Sequence, residues 1–76
     1  MAYPKDAFKE ERLVLGKTIR KLRKEKHLTQ EELAEKADID TNYLAKIETA
    51  QVNTTVRYLI MIARGLHKKV KDLFEF

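Results

Sequence analysis

The segment from residue 40 to residue 49, DTNYLAKIET, holds the side chains of this 76-residue chain that are best spaced for a specific chemical task. If the segment is helical, its apolar side chains Tyr43, Leu44 and Ile47 share one face. Reading base edges in the major groove of DNA requires amide and hydroxyl groups, whereas bulk positive charge gives affinity without discrimination. The opposite face carries small and polar groups with a single cation: Thr41, Asn42, Ala45, Lys46 and Thr49. The pattern therefore indicates a helix whose polar face lies against base pairs.

Catalytic and metal-dependent chemistry finds little support in the sequence. The chain has no cysteine and no serine, which removes the two commonest nucleophiles, and it has no glycine-rich phosphate loop. His27 and His67 are far apart in the sequence, without the spacing of zinc ligands. The acidic residues Glu31, Glu32 and Glu35 fit the first turns of a helix, where the helix dipole favours carboxylates. We therefore expect a protein that is not an enzyme and binds no metal and no cofactor.

The chain carries a formal net charge of +4, and the charges are unevenly placed. Residues 17–26 are rich in lysine and arginine, whereas the next segment carries Glu31, Glu32, Glu35 and Asp38. This split predicts a polyanionic partner on one face, and a basic, solvated surface without a partner is the simpler alternative. The longest apolar run, residues 59–63, is too short to span a bilayer, so we expect no membrane contact and a cytoplasmic location.

Helical periodicity divides the chain into short elements. Apolar spacings in the first thirty residues predict a long first helix that ends near Lys26, with Gly16 as its weak point. The sequence TQEE then matches a capping box, in which Thr29 and Glu32 satisfy each other's backbone N–H groups. A second, short helix should begin there.

Two further helices follow from the same signals. Asp38 suits the left-handed conformation that ends helices, and Asp40 or Thr41 can cap a third helix that runs to about Thr49. A fourth helix has apolar residues at helical spacing and a cap at Asn53 or Thr54. Its end lies near Gly65. The apolar residues that follow, Val70, Leu73 and Phe74, predict one more short helical turn.

A set of short motifs occurs in order between residues 13 and 74: IRKLR (19–23), LTQEELA (28–34), YL (43–44), IE (47–48) and LF (73–74). This set resembles the lambda-repressor-like helix-turn-helix family, which includes phage repressors, Cro and the controller proteins of restriction-modification systems. The resemblance implies an all-α, compact five-helix domain at residues 13–76, preceded by an N-terminal extension at residues 1–12. It makes residues 29–37 the first helix of the motif and residues 40–49 the recognition helix.

The resemblance also implies roles for individual residues. Thr41, Asn42 and Lys46 fall at base-reading positions. Asn42 would suit N6 and N7 of adenine, and Lys46 would suit O6 and N7 of guanine or a nearby phosphate. Arg23 and Glu48 correspond to a structural ion pair that bridges the first helix to the end of the third. Contacts with DNA phosphates are implied for Lys17, Gln30, Thr49, Gln51 and Asn53.

The C-terminal end of the chain is apolar. Its side chains either complete the core or form the interface of a dimer, and we favour the dimer because a small domain gains specificity by doubling its half-site. A two-fold dimer would hold its recognition helices about 34 Å apart and would read an inverted repeat. The residues predicted at this interface are Val70, Leu73, Phe74 and Phe76.

The expected function is therefore that of a sequence-specific transcriptional regulator that binds double-stranded DNA as a homodimer. Repression follows if the operator overlaps a promoter, and activation follows if the bound dimer contacts RNA polymerase. The sequence leaves both open, together with any contact to a regulatory protein. The alternative is a protein–protein interaction module, such as an antitoxin or an anti-repressor target, that keeps the same fold.

Overall fold

The computed structural model describes residues 3–4 and 7–74, and every regular element within them is helical, as the sequence predicted. In this part of the chain, no helix combines the length and the apolar character needed to cross a bilayer. The elements are four α-helices and a final 3-10 turn: α1 (Lys9–Glu25), α2 (Gln30–Ala37), α3 (Thr41–Glu48), α4 (Val56–Gly65) and the turn Val70–Leu73.

The fifth predicted helix is this 3-10 turn, so the described residues form four α-helices rather than five. The backbone N–H of Asp72 donates to the Lys69 carbonyl at 2.9 Å, and the N–H of Phe74 donates to the Lys71 carbonyl at 3.1 Å. Both bonds join residues three apart. Four residues are too few for an α-helical ladder, and short 3-10 turns are common in such positions.

The start of α2 is the predicted capping box. The Thr29 hydroxyl accepts a hydrogen bond from the N–H of Glu32 at 3.1 Å, and the Glu32 carboxylate accepts one from the N–H of Thr29 at 2.9 Å. The bond from the Thr29 backbone is the main reason that the pKa of the exposed Glu32 carboxyl lies below its ordinary value of 4.5.

The N-terminal caps of α3 and α4 agree only in part with those predicted from the sequence. The Asp40 carboxylate accepts from the N–H of Tyr43 at 3.1 Å and caps α3, as one of the two predicted candidates. The prediction of Asn53 or Thr54 as the cap of α4 is wrong, because Thr55 accepts from the N–H of Tyr58 at 3.2 Å. The Thr54 hydroxyl instead accepts a hydrogen bond from the Tyr43 hydroxyl at 3.4 Å.

The first helix begins earlier than the predicted domain boundary. Because α1 starts at Lys9, residues 9–12 of the predicted N-terminal extension belong to this helix. The ring of Tyr3, in the short stretch described ahead of α1, packs against the ring of Phe8 with a centroid distance of 4.9 Å.

The core lies where the four helices and the 3-10 turn meet. The α2 helix packs on both α4 and α3, and α1 packs on α3, so α3 lies between α1 and α2. Leu73 belongs to this core and is fully buried within its own chain, which corrects its assignment to a dimer surface. The largest side chains with essentially no exposure are Ile19, Leu33, Leu44, Ile62, Leu66 and Leu73.

Each α-helix ends beside a residue in the left-handed backbone conformation, and none of these residues is glycine. Their φ angles lie near +57°: His27, Asp38, Ala50 and His67 have values of 57°, 58°, 60° and 56°. After each of them, the next N–H returns to a carbonyl five residues earlier, as from Gln51 to Lys46 at 2.8 Å. This is the Schellman arrangement, which satisfies carbonyls left free at a helix end.

Gly16 sets the distance between α1 and the C-terminal end of α3. A Cβ atom at Gly16 would lie 2.7 Å from the Ile47 carbonyl oxygen and 2.8 Å from the carbonyl carbon of Glu48. A side chain would therefore have to push the two helices apart. The residue that the sequence presented as a weak point of α1 is the one that permits this close approach.

Candidate nucleic-acid interface

The α3 helix has one buried face and one open face, as its sequence predicted. Leu44 and Ile47 are buried in the core, and Tyr43 is half-buried at its edge. The predicted base-reading residues lie on the other side, where Asn42 and Lys46 are exposed. Thr41 and Ala45 are partly covered on the same side, and Thr49 at its end is exposed. The open face is therefore small, polar and continuous along the helix.

Tyr43 fixes the first turn of α3 against α4. Its ring lies against the ring of Tyr58 with a centroid distance of 4.7 Å, and its hydroxyl donates to Thr54 at 3.4 Å. The Asp40 cap adds a hydrogen bond to the Tyr43 N–H. Since the base-reading candidates Thr41 and Asn42 belong to this turn, their backbone positions are set before any contact with DNA.

The last turn of α3 is held by a buried ion pair. Arg23 donates from Nε to Glu48 Oε2 at 2.8 Å and from the terminal nitrogen Nη2 to Oε1 at 3.0 Å. A third Arg23 nitrogen donates to the Leu28 carbonyl at 2.8 Å. The side chains of Arg23 and Glu48 are only 8% and 1% exposed. The pair therefore links α1, the turn before α2 and the end of α3 at one point.

Gln30 joins this network from the start of α2. Its amide nitrogen donates to Glu48 Oε1 at 3.1 Å. The side chain is half-buried, so it also reaches the surface beside α3. One amide N–H is thus used inside the protein, while the rest of the amide remains available for the predicted phosphate contact.

The other predicted phosphate contacts lie on exposed positions. Thr49 is exposed at the end of α3, and its hydroxyl donates to the Ala45 carbonyl at 2.8 Å. The Gln51 amide donates to the Thr49 hydroxyl at 2.8 Å, which orders the start of the loop between α3 and α4. Asn53 is exposed in the same loop, and Lys17 is exposed on α1.

Two cations that sequence reasoning did not single out also line this loop. Lys9 and Arg12, from the first turn of α1, border an open groove with residues 49–53. The Arg12 guanidinium donates to the Ala50 carbonyl at 3.1 Å across a separation of 38 residues. No local signal in the sequence brings these segments together, because their contact depends on how α1 packs against α3.

The predicted dimer residues are divided by the structure. Leu73 is buried, as described above, whereas Val70 is half-buried and Phe74 is 47% exposed. Phe76 lies outside the described residues. On α4, Val56 and Ile60 are also exposed, by 68% and 39%. Of the predicted dimer residues that the structure describes, Phe74 is therefore the most exposed.

Comparison with known proteins places this geometry among regulators. Residues 19–73 match a family model described as helix-turn-helix. The chain is 41% identical over 61 residues to an immunity repressor protein of Bacillus phage phi105, a match that covers 80% of this chain and 42% of the repressor. It is 30% identical over 66 residues to the control protein C.SmaI of Serratia marcescens, covering 87% of this chain and 79% of that protein.

A solved structure shows the same fold. The crystal structure of the restriction-modification controller protein C.AhdI from Aeromonas hydrophila is similar with a TM-score of 0.84 and 29% identity, over 86% of this chain and 98% of that chain. The present chain thus spans nearly all of a controller protein and less than half the length of the phage repressor. These relatives are regulatory proteins and not enzymes.

Proposed function

Because this chain belongs to the helix-turn-helix family of DNA-binding transcriptional regulators, we propose that it is a sequence-specific regulator that binds an inverted-repeat operator as a homodimer. Residues 40–49 lie in the major groove in this proposal, and phosphate contacts on either side set their register. The protein acts in the cytoplasm, on double-stranded DNA.

The observation that carries the proposal is the open polar face of α3. Asn42 and Lys46 are exposed there, while Leu44 and Ile47 anchor the helix from behind. The Asn42 amide is suited to N6 and N7 of adenine, and the Lys46 ammonium to O6 and N7 of guanine or to a phosphate. Thr41 adds a hydroxyl that can donate or accept at the same edge of the bases.

The proposed phosphate contacts surround this face. Gln30 stands at the start of α2, and Thr49, Gln51 and Asn53 continue from the end of α3. Their hydroxyl and amide groups can donate to phosphate oxygens, and the Lys17 ammonium adds charge. Contacts of this type fix orientation without reading sequence, so base preference rests on α3 alone.

The dimer is supported by exposed apolar side chains at the C-terminal end. Phe74 is 47% exposed there, so its ring is accessible to a second copy of the chain. A second copy of the chain is the partner that would also supply a second recognition helix. Whether the bound dimer represses or activates depends on its distance from a promoter and on contact with RNA polymerase or another protein.

The test is selection of random duplex DNA with purified protein at near-physiological salt, followed by sequencing of the enriched pool. We expect an inverted repeat with half-site centres about ten base pairs apart, one turn of B-DNA. Enrichment of a single, unrepeated site would contradict the dimer. Weak, salt-sensitive binding without any enriched sequence would contradict base reading, and would favour the protein–protein interaction module that keeps this fold.

A further inference from the structure

We infer that Lys9 and Arg12 form a binding site for one DNA backbone phosphate beside the C-terminal end of α3. The inference rests on the proposed function and adds a contact from α1, in the segment that the sequence assigned to an N-terminal extension. The recognised chemistry is a phosphodiester of duplex DNA, held by two cations and by polar groups of the loop after α3.

The two cations point into one groove. Lys9 and Arg12 are three residues apart in α1, so they share a helix face. Together with Thr49, Gln51 and Asn53 they line an open concave surface. The acidic residues of the same helical turn, Glu10 and Glu11, do not line it. The groove therefore combines positive charge with hydroxyl and amide groups.

Neither cation has a carboxylate partner among the described residues. The ion pair that forms within them joins Arg23 to Glu48. Arg12 is held in place by its hydrogen bond to the Ala50 carbonyl at 3.1 Å. A guanidinium that is fixed and charged, without a carboxylate partner, can bind an anion through its accessible N–H groups.

The loop itself cannot supply the charge that a phosphate requires. Residues 49–53 read TAQVN and contain no lysine or arginine. The family resemblance implies phosphate contact at this loop, and the structure brings positive charge to it from α1. Gly16 makes this possible because it lets α1 approach the end of α3 closely.

The groove also continues the surface that would meet DNA. Thr49 ends the exposed face of α3 and lines the groove at the same time. A duplex whose bases lie on that face would carry its backbone past the end of the helix. A phosphate there would meet Lys9 and Arg12 without any movement of the core.

The experiment compares the salt dependence of DNA binding in three proteins. The first is the unaltered chain, and the second carries Lys9→Gln with Arg12→Gln. The third, the matched control, carries Lys68→Gln with Lys71→Gln, which removes two exposed lysines near a turn that packs on α1 and α4. The dissociation constant of each is measured by fluorescence anisotropy from about 50 to about 200 mM salt, a range over which phosphate contacts have a large effect.

We expect the Lys9 and Arg12 variant to lower the magnitude of the slope of log Kd against log salt by about two, because each of the two subunits of the proposed dimer loses one neutralised phosphate. As the salt rises over that range, the variant should lose about twelvefold less affinity than the unaltered protein does. The control should keep the original slope. The sequence enriched in selection should be the same for all three proteins, because a backbone contact does not read bases.

An unchanged slope in the Lys9 and Arg12 variant, or an equal change in the control, would overturn the inference. Because a phosphate contact does not depend on sequence, the slopes are measured on random duplex DNA as well as on the selected operator. A failed selection with the expected slope change would reject only base reading by α3. A selected operator with no slope change would reject only the phosphate site.

Loss of the hydrogen bond to Ala50 could also disturb the loop. Arg12→Lys, combined with unchanged Lys9, keeps the charge but not the guanidinium, and it should retain the original slope if charge is what matters. Far-UV circular dichroism and a thermal melt of every variant establish that each is folded under the binding conditions. A slope change in Arg12→Lys as large as in the double variant would assign the effect to loop geometry, against the inference.

Discussion

Three hydrogen bonds converge on the Glu48 carboxylate, two from Arg23 and one from Gln30. They connect the end of α3 to both neighbouring helices, and almost no solvent reaches the ion pair. A buried ion that loses its partner keeps the cost of its lost hydration without the compensating attraction. Removing one member should therefore be more damaging than replacing both by apolar side chains.

Glu48→Gln tests this point with little change in side-chain size. We expect the free energy of unfolding, measured by urea denaturation, to fall by about 3 to 5 kcal/mol, because the Arg23 charge is left buried. The double variant Arg23→Met with Glu48→Leu should lose less than that. Glu31→Gln, at an exposed position, is the control and should stay within about 0.5 kcal/mol of the unaltered protein. A loss below about 1 kcal/mol in Glu48→Gln would show that the ion pair does not hold α3.

Asn42 and Asn53 offer a comparison between the same side chain in two proposed roles. We expect Asn42→Ala to remove preference at one base pair of each half-site, at a cost of about 1 to 3 kcal/mol in discrimination. Asn53→Ala should weaken binding equally on all sequences and leave preference intact. Competition binding with single-base operator variants measures both. Equal effects of the two substitutions on preference would contradict the assignment of Asn42 as the base reader.

The residues of the candidate site differ in how far the sequence predicts them. The pairing of Arg23 with Glu48 was implied by a family resemblance, and a contact across 25 residues has no local pattern of its own. Lys9 and Arg12 were missed because their position beside the loop depends on the approach of two helices. Asn42 and Lys46 were found because helical periodicity alone separates them from the buried face.

Some helix boundaries are set by neighbouring residues and can be predicted from the sequence, whereas others depend on tertiary contacts. The capping box of Thr29 and Glu32 was predicted correctly because both partners lie within four residues of each other. Asn53, Thr54 and Thr55 are adjacent residues of types that cap helices. In the structure Thr55 caps α4, while Thr54 accepts a hydrogen bond from Tyr43, a contact that no local sequence signal predicts. The 3-10 turn was predicted as a helix because apolar spacing does not distinguish the two in four residues.

The charge on Glu32 should make the stability of α2 depend on pH. Its pKa is lower in the folded than in the unfolded chain, so its charge stabilises the fold above the unfolded value. That contribution is lost as the pH falls through the lower, folded-state pKa. Glu32→Gln keeps an acceptor for the Thr29 N–H but removes the charge.

We therefore expect the melting temperature of Glu32→Gln to lie below that of the unaltered protein at neutral pH, and the difference to shrink as the solution is acidified below about pH 4. Thermal melts across this pH range measure it. Glu35→Gln, on the same helix and outside the capping box, is the matched control. A difference that stays constant with pH would contradict the role assigned to the Glu32 charge.

At Gly16, helix propensity and tertiary packing predict opposite effects of an alanine substitution on stability. Alanine is favoured over glycine inside a helix by about 1 kcal/mol, so Gly16→Ala should stabilise α1 taken by itself. In the folded protein the added methyl group meets the backbone of Ile47 and Glu48, and overpacking of this kind costs about 1 to 3 kcal/mol. We expect a net loss of stability by urea denaturation and weaker operator binding, because the end of α3 is displaced.

Gly65→Ala is the matched control for this substitution. A Cβ there would lie 3.1 Å from the backbone nitrogen of Ala37 and from Leu33 Cδ1, a tight contact that a small shift can relieve. Its effect should be smaller and should leave α3 in place. A stabilising effect of Gly16→Ala would mean that the two helices separate readily and that their close approach is not required.

In the proposed homodimer, the two chains meet through the C-terminal end. Phe74 is 47% exposed and belongs to the proposed interface, whereas Phe8 is 57% exposed at the start of α1 and does not. We expect Phe74→Glu to convert the dimer to a monomer in sedimentation velocity experiments, because a charge would be buried between the two copies. Phe8→Glu should leave the dimer intact. A monomer of the unaltered protein at tens of micromolar, with and without DNA, would contradict the dimer itself.

The overall architecture followed from the sequence more completely than the surface did. Periodic apolar residues and local caps define four helices, and the family resemblance supplies their packing order. Leu73 shows where prediction from sequence ends. The sequence shows that its side chain is apolar, but not whether the core of the same chain or a partner chain covers it. The structure places it in the core and leaves Phe74 at the surface.

The helix ends carry a consequence for engineering. Glycine would adopt the left-handed conformation of His27, Asp38 and His67 without the steric strain that a Cβ brings there, about 1 kcal/mol or more at each position. Part of that gain is offset by the greater freedom of glycine in the unfolded chain. Substituting glycine at these helix ends should therefore raise the melting temperature. Because the three positions lie outside the α3 face, the protein could be made more thermostable without altering the residues proposed to contact DNA.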